Sequence, residues 1–204
     1  MAEGFYMSVL ALEFSTTLSA AASLFNGDEA LIHTYETAHT LDMLYLVAYG
    51  AFLGMANLGA WYLQRRALNL IGIIAAGVAA SADFAENLQL MQLTQALLGS
   101  GSPPDFWLLR LFVSTKFLMV CVSLLCLLPM MWPQGWLGKS FSVATLLLAP
   151  STLLTLLGYY HFSIPMIAFI MVAWISLQVW MVKMRNRGDV TEMQDKGLAK
   201  THAI

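Results

Sequence analysis

The chain is poor in charge. Only 11% of its 204 residues are Asp, Glu, Lys or Arg, against about a quarter in a soluble domain. Hydrophobic residues make up 59% and the mean hydropathy is +0.69. Too little polar surface exists to cover a water-soluble fold, so the bilayer is the natural solvent. Lys and Arg are missing before Arg65, so the positive n-region of a secretory signal is missing too. The apolar stretch 5–24 therefore reads as a retained span, although Ser19-Ala20-Ala21-Ala22 at its end could pass for a cleavage site. A net charge of −2 argues against a nucleic-acid partner. The two cysteines, Cys121 and Cys126, lie on different faces of one helical run, which disfavours a disulfide and gives no metal spacing. Gly-rich phosphate loops, a nucleophile elbow, His-Glu-x-x-His and Cys-x-x-Cys are all absent, and no cofactor is expected.

What is present is a series of long apolar runs. Crossing roughly 30 Å of hydrocarbon takes about 20 helical residues. Six stretches qualify: 5–25, 41–63, 67–98, 106–132, 141–160 and 163–182. The expected fold is all-α, a membrane bundle of six transmembrane helices over residues 1–185, followed by a polar cytoplasmic tail over 186–204. Pro150 predicts a kink in the fifth span, because proline removes a backbone donor and crowds the preceding turn. With six spans, Arg65, Arg66, Lys139 and the basic residues from Lys183 onward share one face, and the opposite connections carry no Lys or Arg. The positive-inside rule then puts both termini in the cytoplasm of a multi-pass inner-membrane protein. A five-span count is expected to spoil this sorting.

Ionisable residues within spans are costly and mark candidate functional sites. Glu13, Asp83, Glu86, Arg110 and Lys116 meet that test, with Asp42 at the rim of the second span. Asp83, Glu86 and Asn87 stand at i, i+3 and i+4, on one helix face. Counted from the connection between the third and fourth spans, Glu86 and Lys116 lie at matched depths of roughly 16–18 Å, so an ion pair from Lys116 to Glu86 or Asp83 is open. Arg110 lies at the level of Asp42, whose face continues to Tyr45 and Tyr49. Asp83, Glu86 and Lys116 are the candidate catalytic residues, an arrangement suited to proton transfer or general acid–base work. Asn87, Asp42, Tyr45, Tyr49 and Arg110 are the candidate substrate-binding residues. Glu13 is expected lower down, at the level of Asn57 and hydrogen-bonded to it. Glu36 and His39 have the Glu-x-x-His spacing that di-metal bundles use twice; here it occurs once, and no metal centre is expected.

Leu41-Asp42 with Tyr49, then Asp83-x-x-Glu86-Asn87, then Thr115-Lys116 form an ordered set that resembles small bacterial multi-pass membrane proteins. The resemblance covers 41–117 and implies no activity. Three functions remain in view. The first is an enzyme or binding protein for a lipid-like or amphipathic molecule, with membrane lipid as its partner. The second is a proton- or ion-coupled transporter, which at this size needs a homo-oligomer. The third is a non-catalytic subunit or assembly factor of a membrane complex.

Overall fold

The computed structural model describes residues 8–201, with side chains described for 9–184. In chain order the helices are α1 (Ser8–Glu13), α2 (Leu18–Phe25), α3 (Glu29–Gln64), α4 (Ala67–Leu97), α5 (Phe106–Cys126), α6 (Leu128–Met131), α7 (Gly135–Leu156) and α8 (Ser163–Thr201), with a 3-10 turn at Tyr160–Phe162 before α8. Among the described residues there is no strand. Five helical stretches are long and apolar enough to cross a membrane: Glu29–Gln64, Ala67–Leu97, Phe106–Met131, Gly135–Leu156 and Tyr160–Met184. The protein is an all-α, multi-pass membrane bundle.

The stretch read from the sequence as a first span is not one helix. α1 has six residues and α2 eight, about 9 and 12 Å of rise, and neither alone crosses the hydrocarbon core. The cause lies in Ser15-Thr16-Thr17. The Ser15 hydroxyl donates back to the Ala11 carbonyl at 2.8 Å. Thr17 then adopts an extended backbone, φ −148° and ψ 155°, and its Oγ1 accepts from the Ala20 amide at 3.1 Å. A threonine in that role starts a new helix. α2 ends on Asn26 at φ 49° followed by Gly27 at φ 80°. Asp28 then caps α3, its carboxylate accepting from the Leu31 amide at 3.0 Å.

α3 begins well before the apolar run. The segment from His33 to Asp42 belongs to this same helix. At 36 residues, α3 rises about 54 Å, so one end extends past the hydrocarbon. α7 passes through Pro150 as one helix. α8 carries the polar tail as far as Thr201.

Helices gain no hydrophobic driving force against one another in lipid, so small residues and interhelical hydrogen bonds hold them together. The α3–α4 pair, turned by Arg65 at φ 53° and Arg66, is packed on small side chains. A Cβ on Gly50 would come within 2.8 Å of the Ala80 methyl. Ala75, Ala76, Ala79 and Ala82 line the buried face of α4. Toward the α3–α4 turn, Asn57 Nδ2 lies 3.0 Å from Ser123 Oγ and 3.2 Å from the Ser123 carbonyl. Asn69 Nδ2 donates to the Cys126 carbonyl at 3.1 Å. These amides tie α3 and α4 to α5. α7 packs chiefly on α8 and joins the rest through α5.

Gly72 is the position on which this layer turns: any Cβ there would overlap the Asn57 side chain and press on Cys126. Gly72→Ala is expected to lower stability by about 1–3 kcal/mol through overpacking, read as a lowered midpoint of thermal unfolding in detergent. An unchanged midpoint would show that the layer can open at no cost.

Candidate functional site

Lys116 stands on the middle of α5 and is the hub of the site. Its Nζ donates to Glu86 Oε1 at 2.7 Å. The same nitrogen lies 3.4 Å from Asp83 Oδ1 and 3.5 Å from Glu13 Oε1. Three elements, α1, α4 and α5, thus bring one ammonium against three carboxyl groups. The side chains of all four are nearly out of contact with solvent or lipid, at 12% exposure for Lys116 and 9% or less for the acids. The ammonium also sits 4.9 Å from the centre of the Phe117 ring, a favourable cation–π placement. Asp83 and Glu86 converge because i and i+3 share a helix face. Asn87, one residue on, donates from Nδ2 to Asp42 Oδ2 at 2.9 Å, joining α4 to α3. Tyr49 turns its hydroxyl toward Asp83 without a well-formed hydrogen bond.

These residues border a cavity of about 550 Å³, within the ordinary range for small-molecule sites. Its polar lining is Glu13, Asp83, Lys116, Asp42, Asn87 and His39. α8 contributes an apolar wall, with Ile167, Ile170, Met171 and Trp174. α3 and α8 do not pack closely along their length. Trp174 bridges them through rings, with centroids 6.0 Å from Tyr45, 6.0 Å from Tyr49 and 5.5 Å from Phe52. Val9, Thr34, Ala38, Tyr45 and Met171 line the cavity and are themselves exposed, so it is open to the outside of the bundle.

Charge is unbalanced here. One ammonium faces three carboxyls, with the Asp42 carboxyl close by at the cavity edge. In a low-dielectric interior an unpaired charge is expensive, so the surplus carboxyls call for protons or for a cation. The chemistry open to such a site is proton exchange, or recognition of a positively charged group.

The structure brings together Asp83, Glu86, Lys116, Asn87, Asp42, Tyr45 and Tyr49, all named from the sequence. Glu86 stands behind Lys116 and does not line the cavity. Two expectations need correction. Arg110 does not join the site: it is exposed on α5, makes no ion pair among the described residues, and lies about 120° around the helix from Lys116. Glu13 does not meet Asn57. It reaches Lys116, and Asn57 bonds Ser123 instead. Sequence reasoning assumed a continuous first helix, and the Ser15-Thr16-Thr17 cluster that breaks it was the available signal. The Glu-x-x-His pair is also separated. Glu36 Oε2 lies 3.3 Å from His33 Nδ1 on the surface, while His39 is buried against the cavity. Among the described residues no three His, Cys, Asp or Glu side chains are grouped to hold a metal. His39 as a cavity residue, Tyr35 and Trp174 were not read as site residues, because their place depends on how α1 and α8 pack.

No protein-family model, no curated protein and no solved structure matches the chain.

Removing the hub should expose the imbalance. Lys116→Met leaves three buried carboxyls without a counter-charge and is expected to cost about 3–5 kcal/mol, with Glu86→Gln in the same chain recovering part of the loss. Thermal unfolding of the single and double variants measures both. A Lys116→Met protein as stable as wild type would remove the ion cluster from the list of forces that hold α1, α4 and α5 together.

Proposed function

We propose that this protein binds, and draws out of the bilayer, a lipid-like or amphipathic small molecule, its head held by the charged cluster and its apolar part by the α8 wall. The observation that carries this reading is the mixed lining of one cavity, Glu13, Asp83 and Lys116 together with Ile167, Ile170 and Met171 of α8, which is open to the outside of the bundle. A ligand that enters from lipid needs a side opening and an apolar seat. A water-soluble ligand needs neither.

A proton-handling role for the same residues is the second reading, favoured by the surplus of carboxyls over ammonium. It makes Asp83, Glu86 and Lys116 the proton carriers, whether in transport or in acid–base chemistry on the bound molecule.

In this reading the charged cluster lies near the midplane of an inner membrane, and the cavity runs from it into the outer half along His39, Ala38 and Thr34 of α3. With five crossings, the α3–α4 turn holds Arg65 and Arg66, Lys139 stands in the first turns of α7, and Lys183 follows the apolar part of α8. These ends share one face, and the opposite connections hold no Lys or Arg. Because α1 and α2 need not cross, the sorting no longer depends on the N-terminal segment, and five spans satisfy it as well as six. The basic face is then cytoplasmic. From the opposite face, Lys116 is 10 residues into α5, about 15 Å deep.

Two experiments test these statements. Native mass spectrometry of the purified protein is expected to show a co-purifying amphiphile, absent from Ile170→Trp, in which an indole fills the cavity while the charged cluster is untouched. A wild-type protein that carries no adduct would count against the binding reading. For orientation, a cysteine at Ser102, in the connection before α5, is expected to react with a membrane-impermeant maleimide on whole cells, and one at Gln134 only after lysis. The reverse pattern would invert the topology.

A further inference from the structure

We propose that the head recognised at this site is a protonated amine that still carries N–H bonds, borne on a single apolar chain; the inference rests on the amphiphile-binding reading above and names the class of amphiphile. The unpaired atoms around the cavity decide the sign of the head. Glu13 Oε2, the Tyr49 hydroxyl and His39 Nε2 are buried without a hydrogen-bond partner, and Asp83 Oδ1, 3.4 Å from the Lys116 ammonium, makes no well-formed hydrogen bond either. Their residues are 7%, 4%, 5% and 6% exposed, and all four line the same cavity. Two are carboxyl oxygens, which as carboxylates only accept, and the hydroxyl and the imidazole nitrogen can accept as well. A buried polar group left in this state is costly. A ligand that brings several donors removes that cost.

The charge count points the same way. The site's cation, Lys116, is already engaged by Glu86, Asp83 and Glu13. A phosphate or carboxylate head would find no free positive charge and three or four carboxyls against it. An ammonium would find surplus negative charge. The choice among cations follows from the donor requirement. A trimethylammonium head satisfies charge but presents no N–H to the four waiting atoms. A primary ammonium presents three, in a compact head with the strong charge-assisted hydrogen bonds that carboxylates favour. Tyr45, Tyr49 and Trp174 stand beside the entry with their rings in mutual contact, an aromatic wall over which a cation can pass.

The test uses the full chain in detergent micelles, titrated with dodecylamine, dodecyltrimethylammonium, dodecyl phosphate and dodecanol, with the Ile170→Trp protein as the filled-cavity control. Dodecylamine is expected to bind at least ~10-fold more tightly than each of the other three. Asp83→Asn and Glu13→Gln are each expected to weaken dodecylamine ~10-fold and to leave dodecanol unchanged. Tyr49→Phe, which removes one oxygen and no charge, reads the same direction of loss where a carboxyl variant fails to purify. Equal affinity for the amine and the trimethylammonium, or tighter binding of the phosphate or the alcohol, overturns the amine assignment and leaves amphiphile binding standing. Binding of all four probes no tighter than to the filled-cavity control overturns both.

Discussion

A lysine ammonium inside an apolar medium must be paired, and that requirement organises one layer of this bundle. Lys116 gathers Glu86 and Asp83 from α4 and Glu13 from α1. The contact gives a reason for the unusual course of the N-terminal segment. A glutamate in the middle of a lipid-spanning helix would be an isolated intramembrane charge. Broken at Ser15-Thr16-Thr17, the segment instead places Glu13 where the ammonium is. Leu10, Leu12 and Phe14 beside it are buried, so the apolar face of α1 and its single acid are both accommodated by one docking position. Because α1 and α2 are short, they cover the α3–α5 core only in part. Because α8 packs on α7 rather than along α3, the remaining gap becomes the cavity.

The bundle contains a second polar layer, and the contrast between the two is informative. At the opposite end Asn57, Asn69 and Ser123 link α3, α4 and α5 through neutral side chains. That layer is filled: Gly72 leaves no room for even a methyl group. Such a layer fixes helix register, and although Asn57 Oδ1 and Asn69 Oδ1 are without a hydrogen-bond partner, it carries no charge. The layer around Lys116 differs in two respects, a formal surplus of negative charge and an adjoining space of about 550 Å³. Register alone requires neither. A structural ion pair is satisfied by one acid per base, whereas here the acids outnumber the base and Glu13 and Asp83 line the open volume.

Much of this was legible from residue spacing. The helical class followed from hydropathy, and the meeting of Glu86 with Lys116 followed from counting a fixed rise along two antiparallel helices joined by a short connection. Depth counting works when both helices are continuous and share an end. It failed for Glu13 because the helix it assumed is interrupted, and the capping threonine that interrupts it lies four residues further on. It failed for Arg110 for another reason: depth says nothing about azimuth, and a residue at the right level can face outward. The charge sorting that favoured six spans was equally compatible with five once the dropped crossing was the first, since no Lys or Arg precedes Arg65. His39 and Trp174 carry no local signal of their roles. Each is an ordinary buried or half-buried residue of an apolar helix until α1 and α8 are placed around it.

The cavity's shape and its electrostatics constrain each other. An apolar wall beside surplus carboxyls is an unfavourable pairing for an empty site, because low dielectric strengthens the repulsion among the acids and water is the only available relief. Closing the wall with a polar face would relieve the charge but would admit soluble cations without discrimination. Keeping it apolar, with a mouth rimmed by Val9, Tyr45 and Met171, restricts relief to protons or to a cation that brings its own apolar body. In the proposed role the same geometry would select on two properties at once: positive charge at the head and compatibility with lipid along the rest. A proton satisfies only the first of these, so proton binding by itself gives no account of the Ile167–Trp174 wall.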